Sequence, residues 1–202
     1  MDKLIFRYAT MNSGKTMDLI IRAYNYDETN QNVIVMKPSI DTKGNDKIVS
    51  RTGLERKVDY LITKEDSIIN TLNHKLNSIR AILIDEAQFL TKEQVDELQI
   101  IAHSLKIDVI CYGLRNNYKM EAFEGSKRLL EIADILEEQP SICICGEKAR
   151  FVGRLVGDDF VLEGEEVVID GTDNVKYISL CGSCYLKKVK KIDLNKVKKK
   201  VL

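Results

Sequence analysis

The 202-residue chain has no excess of either charge, with 31 Lys and Arg against 31 Asp and Glu. A balanced chain projects no global field toward nucleic acid or anionic lipid, so charge matters only locally. Also missing is any run of about 18 apolar residues, and the start has no basic segment followed by an apolar one. A membrane span and an export signal are therefore not expected, and the chain reads as cytoplasmic with neither membrane nor nucleic acid as a partner. Histidine is scarce. His74 and His103 fall on predicted helices with no acidic or cysteine partner at ligand spacing, and both read as ordinary surface or boundary residues. No internal repeat is visible, and the one biased segment is the lysine-rich end.

What is present is organised around Ala9-Thr10-Met11-Asn12-Ser13-Gly14-Lys15-Thr16. An apolar run, Leu4 to Tyr8, precedes it, and Met17, Ile20, Ile21 and Tyr24 follow at helical spacing. Strand, tight loop and helix in that order lay backbone N–H groups and a helix N-terminus around a polyphosphate. Lys15 would reach the outer phosphates, and the Thr16 hydroxyl would bind the magnesium ion that accompanies ATP. The pattern normally begins with glycine. Ala9 in that place must either avoid positive φ or tolerate strain. The competing reading is a glycine-containing turn followed by Lys-Thr.

Along the chain, Val33–Met36 is a continuous apolar run of the kind buried on both faces of a sheet. Residues 39–53 are polar, with Gly44 and Gly53, and read as a long mobile loop. A short strand near 57–62 and a helix over about 64–76 follow. Ala81–Ile84 then runs directly into Asp85-Glu86-Ala87-Gln88-Phe89. Thr91 and Gln94 have capping-box spacing ahead of a helix whose apolar face is Val95, Leu98, Ala102 and Leu105. One more strand, 107–112, and a helix over 123–133 complete an alternation that predicts a doubly wound parallel sheet. From Gln139 short β-like pieces alternate with Gly and Cys pairs. The expected fold is α/β, a P-loop (RecA-like) doubly wound, mostly parallel sheet with a small C-terminal zinc-binding β-rich domain. Its expected bounds are 1–138 for the nucleotide-binding domain, 139–192 for the zinc-binding lasso domain and 193–202 for a lysine-rich tail.

Two constellations carry chemistry. In open α/β sheets ligands bind beyond the carboxyl ends of the strands, where both the phosphate loop and Asp85-Glu86 are expected. Phosphoryl transfer asks the protein for charge neutralisation, alignment and a group to accept the acceptor's proton. Lys15, Thr16 and Asp85 suit the first, and Glu86, one residue on, suits the last. The bland alternative is a polar strand end. The second constellation is Cys143, Cys145, Cys181 and Cys184, two pairs each next to a glycine, which read as knuckles on a structural zinc. Disulfides or inert thiols are the alternative. Cys111, inside an apolar strand, reads as core. Eight lysines between Lys187 and Leu202 read as a solvated or frayed end, nucleic-acid contact being the other reading.

Asp85–Phe89, Tyr112-Gly113-Leu114-Arg115, the cysteine pairs and Lys176–Cys181 together resemble the cytosolic (type II) thymidine kinases, over nearly the whole chain. The likeness is to the bacterial branch, where Ala9 and the one-residue spacer of Cys143–Cys145 have counterparts. It implies transfer of the ATP γ-phosphoryl group to the 5′-hydroxyl of thymidine in nucleotide salvage, with Glu86 as catalytic base. It also implies a lasso loop over 161–177 that holds the base, with Met11, Gln88, Phe89, Leu114, Phe123, Val152, Val168, Ile169, Gly171 and Tyr177 at nucleoside-pocket positions. Val152 stands where some members place a threonine near the thymine methyl. Asp41-Thr42-Lys43 stands where many carry Asp-Xaa-Arg. A homotetramer inhibited by thymidine triphosphate is the further implication. The rival from another class is a nucleic-acid-dependent P-loop ATPase with a zinc lobe.

Overall fold

The computed structural model describes residues 3–73, 75–76, 78–164 and 174–201, the side chains of 199–201 excepted. Two compact units share the chain: residues 1–8, 14–115 and 123–139 form one, and 9–13, 116–122 and 140–202 the other.

In the first unit β1 (Leu4–Ala9), α1 (Lys15–Glu28), β2 (Val33–Pro38), β3 (Lys47–Val49), β4 (Glu55–Lys57) and β5 (Tyr60–Ile62) are followed by α2 (Ile68–Leu72) and β6 (Ala81–Ile84). Then come α3 (Lys92–Leu105), β7 (Asp108–Leu114), α4 (Glu124–Ile132) and β8 (Ile135–Glu138). Six strands make one sheet in the order β5-β2-β6-β7-β1-β8. The pairs β2·β5, β2·β6, β6·β7 and β1·β8 are parallel. All six residues of β2 and all four of β6 are buried, as strands covered on both faces require. Alternation sorts their side chains. Ile82 and Ile84 join Leu4, Phe6, Val95, Leu98 and Leu129 on one side, while Ala81 and Leu83 join Leu19, Ile20, Ala23 and Tyr112 on the other. Helices thus cover both faces, the doubly wound arrangement. Asp18 fixes α1 by accepting hydrogen bonds from Arg7 Nη1 at 2.6 Å and from the Tyr112 hydroxyl at 2.8 Å.

The capping box forms in full. Thr91 Oγ1 accepts from Gln94 N, Gln94 Oε1 accepts from Thr91 N, and Gln94 Nε2 also donates to the carbonyls of Thr63 and Asp66. Leu105, expected on the apolar face of α3, is instead exposed at its C-terminus. The helix expected over 64–76 shrinks to five residues. Asp66 Oδ2 accepts from Thr63 N and Oγ1, so residues 63–66 close as a side-chain turn, and Ser67 becomes the cap. His74 lies outside the described residues.

The polar segment 39–53, read from sequence as a mobile loop, carries β3, which forms an antiparallel ribbon with β4 just beyond it in the register Lys47↔Lys57 to Val49↔Glu55. Its anchor is Lys37. That side chain is fully buried, and its ammonium donates to Asp41 Oδ2 at 3.1 Å, Lys43 O at 2.7 Å and Lys47 O at 3.1 Å. Asp41 is therefore occupied within its own loop.

The second unit holds an antiparallel sheet, β9 (Phe151–Val156) between β10 (Asp159–Val161) and β11 (Val175–Leu180), followed by α5 (Gly182–Lys188) and α6 (Leu194–Val201). The lysine-rich end is helical, with Asn195 to Lys198 exposed. Among the described residues no helix is long and apolar enough to cross a membrane.

Replacing Lys37 with Met would leave two carbonyls and a carboxylate without their buried donor. Loss of one partner from such a cluster costs about 2–4 kcal/mol, so urea unfolding should show K37M less stable by that order, with the 39–53 backbone exchanging its amide protons faster.

Candidate functional site

β1 delivers the chain to the phosphate loop at Ala9, which is 7% exposed and not among the residues with positive φ. Left-handed backbone falls instead on Asn12 (φ 62°) and Gly14 (φ 83°). Gly14 is the N-cap of α1 and has room for a Cβ, so the positive φ, not crowding, is what calls for glycine. The strain that Ala9 would bring is thus avoided. Lys15 is buried in the first turn of α1. Burial lowers its pKa, and the nearby Glu86 and Asp85 carboxylates oppose that.

Asp85 and Glu86 leave the end of β6, two strands from β1. Asp85 is 4% exposed, donates its N–H to Met36 O at 3.0 Å and accepts from the Thr16 hydroxyl and the Glu86 N–H. Burial, and then the neighbouring Glu86 charge, push its pKa up to about 7, against the pull of Thr16 and Lys15. Lys15, Thr16, Asp85 and Glu86 therefore share one edge of one unit. Glu86 itself takes left-handed backbone, φ 51° and ψ 36°, which sequence reading did not foresee. A non-glycine residue held there at a strand end carries strain that the surroundings must fix.

The other expected site residues divide between the units. In the first, Phe89 and Phe123 meet edge to face with centroids 5.6 Å apart, and Gln88 bonds both Glu86 and Leu114 N. In the second, Met11 packs on a cluster that includes Val152 and Tyr177, together with Tyr118 and Val175. Val168, Ile169 and Gly171 lie outside the described residues. Two serine hydroxyls to which the sequence pattern assigns no role, Ser141 and Ser179, join Thr10 of the motif in supporting the first half of the loop. Thr10 Oγ1 donates to Ser141 Oγ at 2.6 Å, while Ser179 Oγ lies 2.9 Å from both Thr10 Oγ1 and Met11 O. Ser13 Oγ donates to Thr10 O. A sequence signal for them does exist: each serine stands two residues before a cysteine pair.

Those pairs converge. The Sγ atoms of Cys143, Cys145, Cys181 and Cys184 all lie within 4.8 Å of one another, with 3.5 Å between Cys143 and Cys145 and 3.7 Å between Cys145 and Cys181. Four thiolates on a tetrahedral zinc stand about 3.8 Å apart, and a disulfide needs about 2 Å, so the donor set fits a metal and none of the four is cross-linked. Gly146 at φ 90° turns the first knuckle and Cys181 caps α5 in the second, accepting from Cys184 N. Burial would raise the Cys143 thiol. Hydrogen bonds from the Cys145 and Cys181 backbone and from the Cys145 and Cys184 side chains bring that thiol down to about 7, while the Cys145 thiol is raised and the Cys184 thiol is pushed up to about 12, first by its bond with Cys145, so one thiolate forms before its neighbours. Cys111 is buried core, its thiol pushed far up by burial. His103 sits 3.3 Å from Asp134 at the surface.

A parallel sheet with a phosphate loop after β1, an acidic pair after β6 and a tetracysteine cluster define a P-loop α/β protein with four cysteines that could hold a metal. Residues 2–185 match the model of the thymidine kinase family. The chain is 43% identical over 196 residues to the thymidine kinase of Mannheimia succiniciproducens, which covers 95% of this chain and 99% of that one. It is 42% identical to the Pasteurella multocida thymidine kinase, over 94% of this chain and 99% of that one. The corresponding figures for Haemophilus influenzae are 43%, 93% and 98%. Among solved structures, the Pif1 helicase of Candida albicans overlaps 68% of this chain and 36% of that one at 14% identity and a TM-score of 0.41, too slight a likeness to interpret. The chain belongs to the thymidine kinase family.

Two measurements test this geometry. Between about pH 4 and pH 7 folded Asp85 keeps a proton that the unfolded chain has already lost, so its contribution to stability falls as pH rises through that window. Without magnesium or nucleotide, Asp85→Asn should therefore gain on the parent protein from pH 4 to pH 7, by at most about 4 kcal/mol, with no further change above. A pH-independent difference in urea unfolding would contradict a protonated Asp85. For the cysteine cluster, elemental analysis should find one zinc per chain, and chelation or Cys145→Ser should unfold the second unit and release the metal.

Proposed function

We propose that this chain is an ATP-dependent thymidine kinase, transferring the γ-phosphoryl group to the 5′-hydroxyl of thymidine, with deoxyuridine as a further acceptor, in pyrimidine salvage. The observation that carries it is the gathering of Lys15, Thr16, Asp85 and Glu86 at one sheet edge in a member of this family. Backbone N–H groups of Ala9 to Thr16 and the α1 terminus hold the β- and γ-phosphates, and Lys15 neutralises charge on the outer oxygens. Thr16 and Asp85, already hydrogen-bonded to one another, would hold the magnesium ion that accompanies ATP, which would supply neutralisation of the phosphate charge. Glu86 accepts the proton as the 5′-oxygen forms its bond to γ-phosphorus and the bond to the bridging oxygen of ADP breaks.

By the family resemblance, Phe89, Phe123 and Leu114 in the first unit, and Met11, Val152 and Tyr177 in the second, are positions of nucleoside contact, as are Val168, Ile169 and Gly171, which lie outside the described residues. The tetracysteine site holds structural zinc, since four thiolates leave no open position for chemistry. By the same family reading the protein works in the cytoplasm as a homotetramer, and thymidine triphosphate occupies the nucleoside site as feedback inhibitor.

A radiolabelled γ-phosphate screen over the common nucleosides tests the acceptor, with thymidine expected as the preferred one. ATP hydrolysis stimulated by polynucleotide, without nucleoside labelling, would replace this reading with a nucleic-acid-dependent ATPase. Glu86→Gln should bind Mg-ATP normally and turn over about 10²–10⁴-fold more slowly, the usual worth of a general base. Retained turnover would remove Glu86 from that role.

A further inference from the structure

Glu86 sits on strained backbone at a strand end, and its own φ and ψ do not aim its carboxylate. What does aim it is Gln88, on the 3-10 turn Ala87–Phe89 immediately downstream. Gln88 Nε2 donates to Glu86 Oε2 at 2.5 Å, while Gln88 Oε1 accepts from the Leu114 backbone N–H at 3.0 Å. The second bond decides the first. A backbone N–H can only donate, so the amide atom facing Leu114 is the carbonyl oxygen, and the NH₂ group is left facing Glu86. The orientation of the amide is therefore imposed by the main chain.

The amide is also enclosed. Gln88 is 1% exposed, which leaves it no surface to offer a nucleoside. A Cβ on Gly113 would come within 2.8 Å of Gln88 Oε1, and one on Gly125 within 2.5 Å of Ala87 O and 2.8 Å of Leu90 O. The two glycines let β7 and α4 close directly on the turn. Ser126 Oγ, from the same helix, donates to Leu114 O at 2.5 Å and so fixes the residue whose N–H holds the amide. A hydrogen-bonded line runs from α4 through Leu114 and Gln88 to Glu86, with every member in the first unit.

We propose that Gln88 is the positioning residue of Glu86 and not a nucleoside contact: it ties down Oε2 and leaves Oε1 as the oxygen that takes the 5′-hydroxyl proton. This rests on the reading of Glu86 as base. Misplacing a reacting group by about 1 Å costs up to about 10²-fold in rate, so a brace of this kind acts on turnover and not on affinity.

The test is a double-mutant cycle on the full-length, zinc-loaded protein. Gln88→Met keeps the side-chain length and removes both bonds. It should lower kcat about 10- to 100-fold with the thymidine KM and the Mg-ATP Kd within about twofold of the parent protein. In a Glu86→Gln background the same change should cost less than about twofold in kcat, because the group it positions is already gone. Gln88→Asn, one methylene too short to span Leu114 N and Glu86, should show the same split, and it serves as the readout if Gln88→Met does not fold. A raised thymidine KM at unchanged kcat would make Gln88 a substrate contact and overturn the proposal, as would an equal kcat loss in both backgrounds. Normal kcat in the Gln88 variants beside a crippled Glu86→Gln would sink this inference alone. Full turnover in Glu86→Gln would sink the base reading and this one with it.

Discussion

Lys15 and Asp85 are both buried at the sheet edge, and the rest of the site follows from how that burial is tolerated. Removing each ion from water costs several kcal/mol, more than an imperfect pair returns. Lys15 and Asp85 both register the cost: burial drives the pKa of the first down and of the second up to about 7. The protein meets it with directed partners, the Thr16 hydroxyl and the Glu86 N–H on Asp85, and with the charge of Glu86 near Lys15. A magnesium polyphosphate would satisfy both ions at once, placing anionic oxygens on Lys15 and a divalent charge on Asp85. The site would thus be better solvated by such a ligand than by water, the electrostatic condition for tight binding and for catalysis without reorganisation.

Such an arrangement needs a frame that does not yield, and the parallel sheet provides it. β2 and β6 are buried on both faces, so the ends of the strands are fixed by packing on either side. Beyond those ends the backbone departs from regular structure at Asn12, Gly14 and Glu86, each with positive φ. Only Gly14 adopts that conformation cheaply. At Asn12 and Glu86 the cost, of order 1–3 kcal/mol, is met by neighbouring order, and strain of this kind collects where a side chain has to be presented in one direction. The Gln88 amide, the closely packed Gly113 and Gly125, and Ser126 supply that order for Glu86.

The parts that the sequence disclosed were those with a strong local signal. Leu4–Tyr8 before a Gly-Lys-Thr turn, the apolar runs 33–36 and 81–84, the Thr91–Gln94 box and the spaced cysteines each carry their structure within a few residues. β8 escaped notice because four residues ending in two glutamates form a strand only by pairing with β1, through Ile5↔Ile135 to Tyr8↔Glu138. The ribbon of β3 and β4 escaped because its anchor, Lys37, is a buried lysine, which periodicity scores as an error. The helix over 64–76 was too long because Asp66 prefers the Thr63 backbone to a helical turn. The left-handed Glu86 could not be read, and Ser141 and Ser179 carry only the weak signal of standing two residues before a cysteine pair, since both features depend on segments far apart in the chain.

Those hydroxyls give the cysteine cluster a second significance. The second unit buries a modest core, with Cys143, Ala149, Leu180, Tyr185 and Val189 in one cluster, and small cores commonly need a covalent or metal staple. The two segments that the cysteines join are also the ones that present Ser141 and Ser179 to Thr10 and Met11. A metal common to Cys143 and Cys181 would hold the two serines at a set separation, and with them Thr10 and Met11. Ordering Thr10 and Met11 in this way within the second unit would lower the entropy that this stretch loses on closing around a phosphate, so more of the contact energy would remain as affinity.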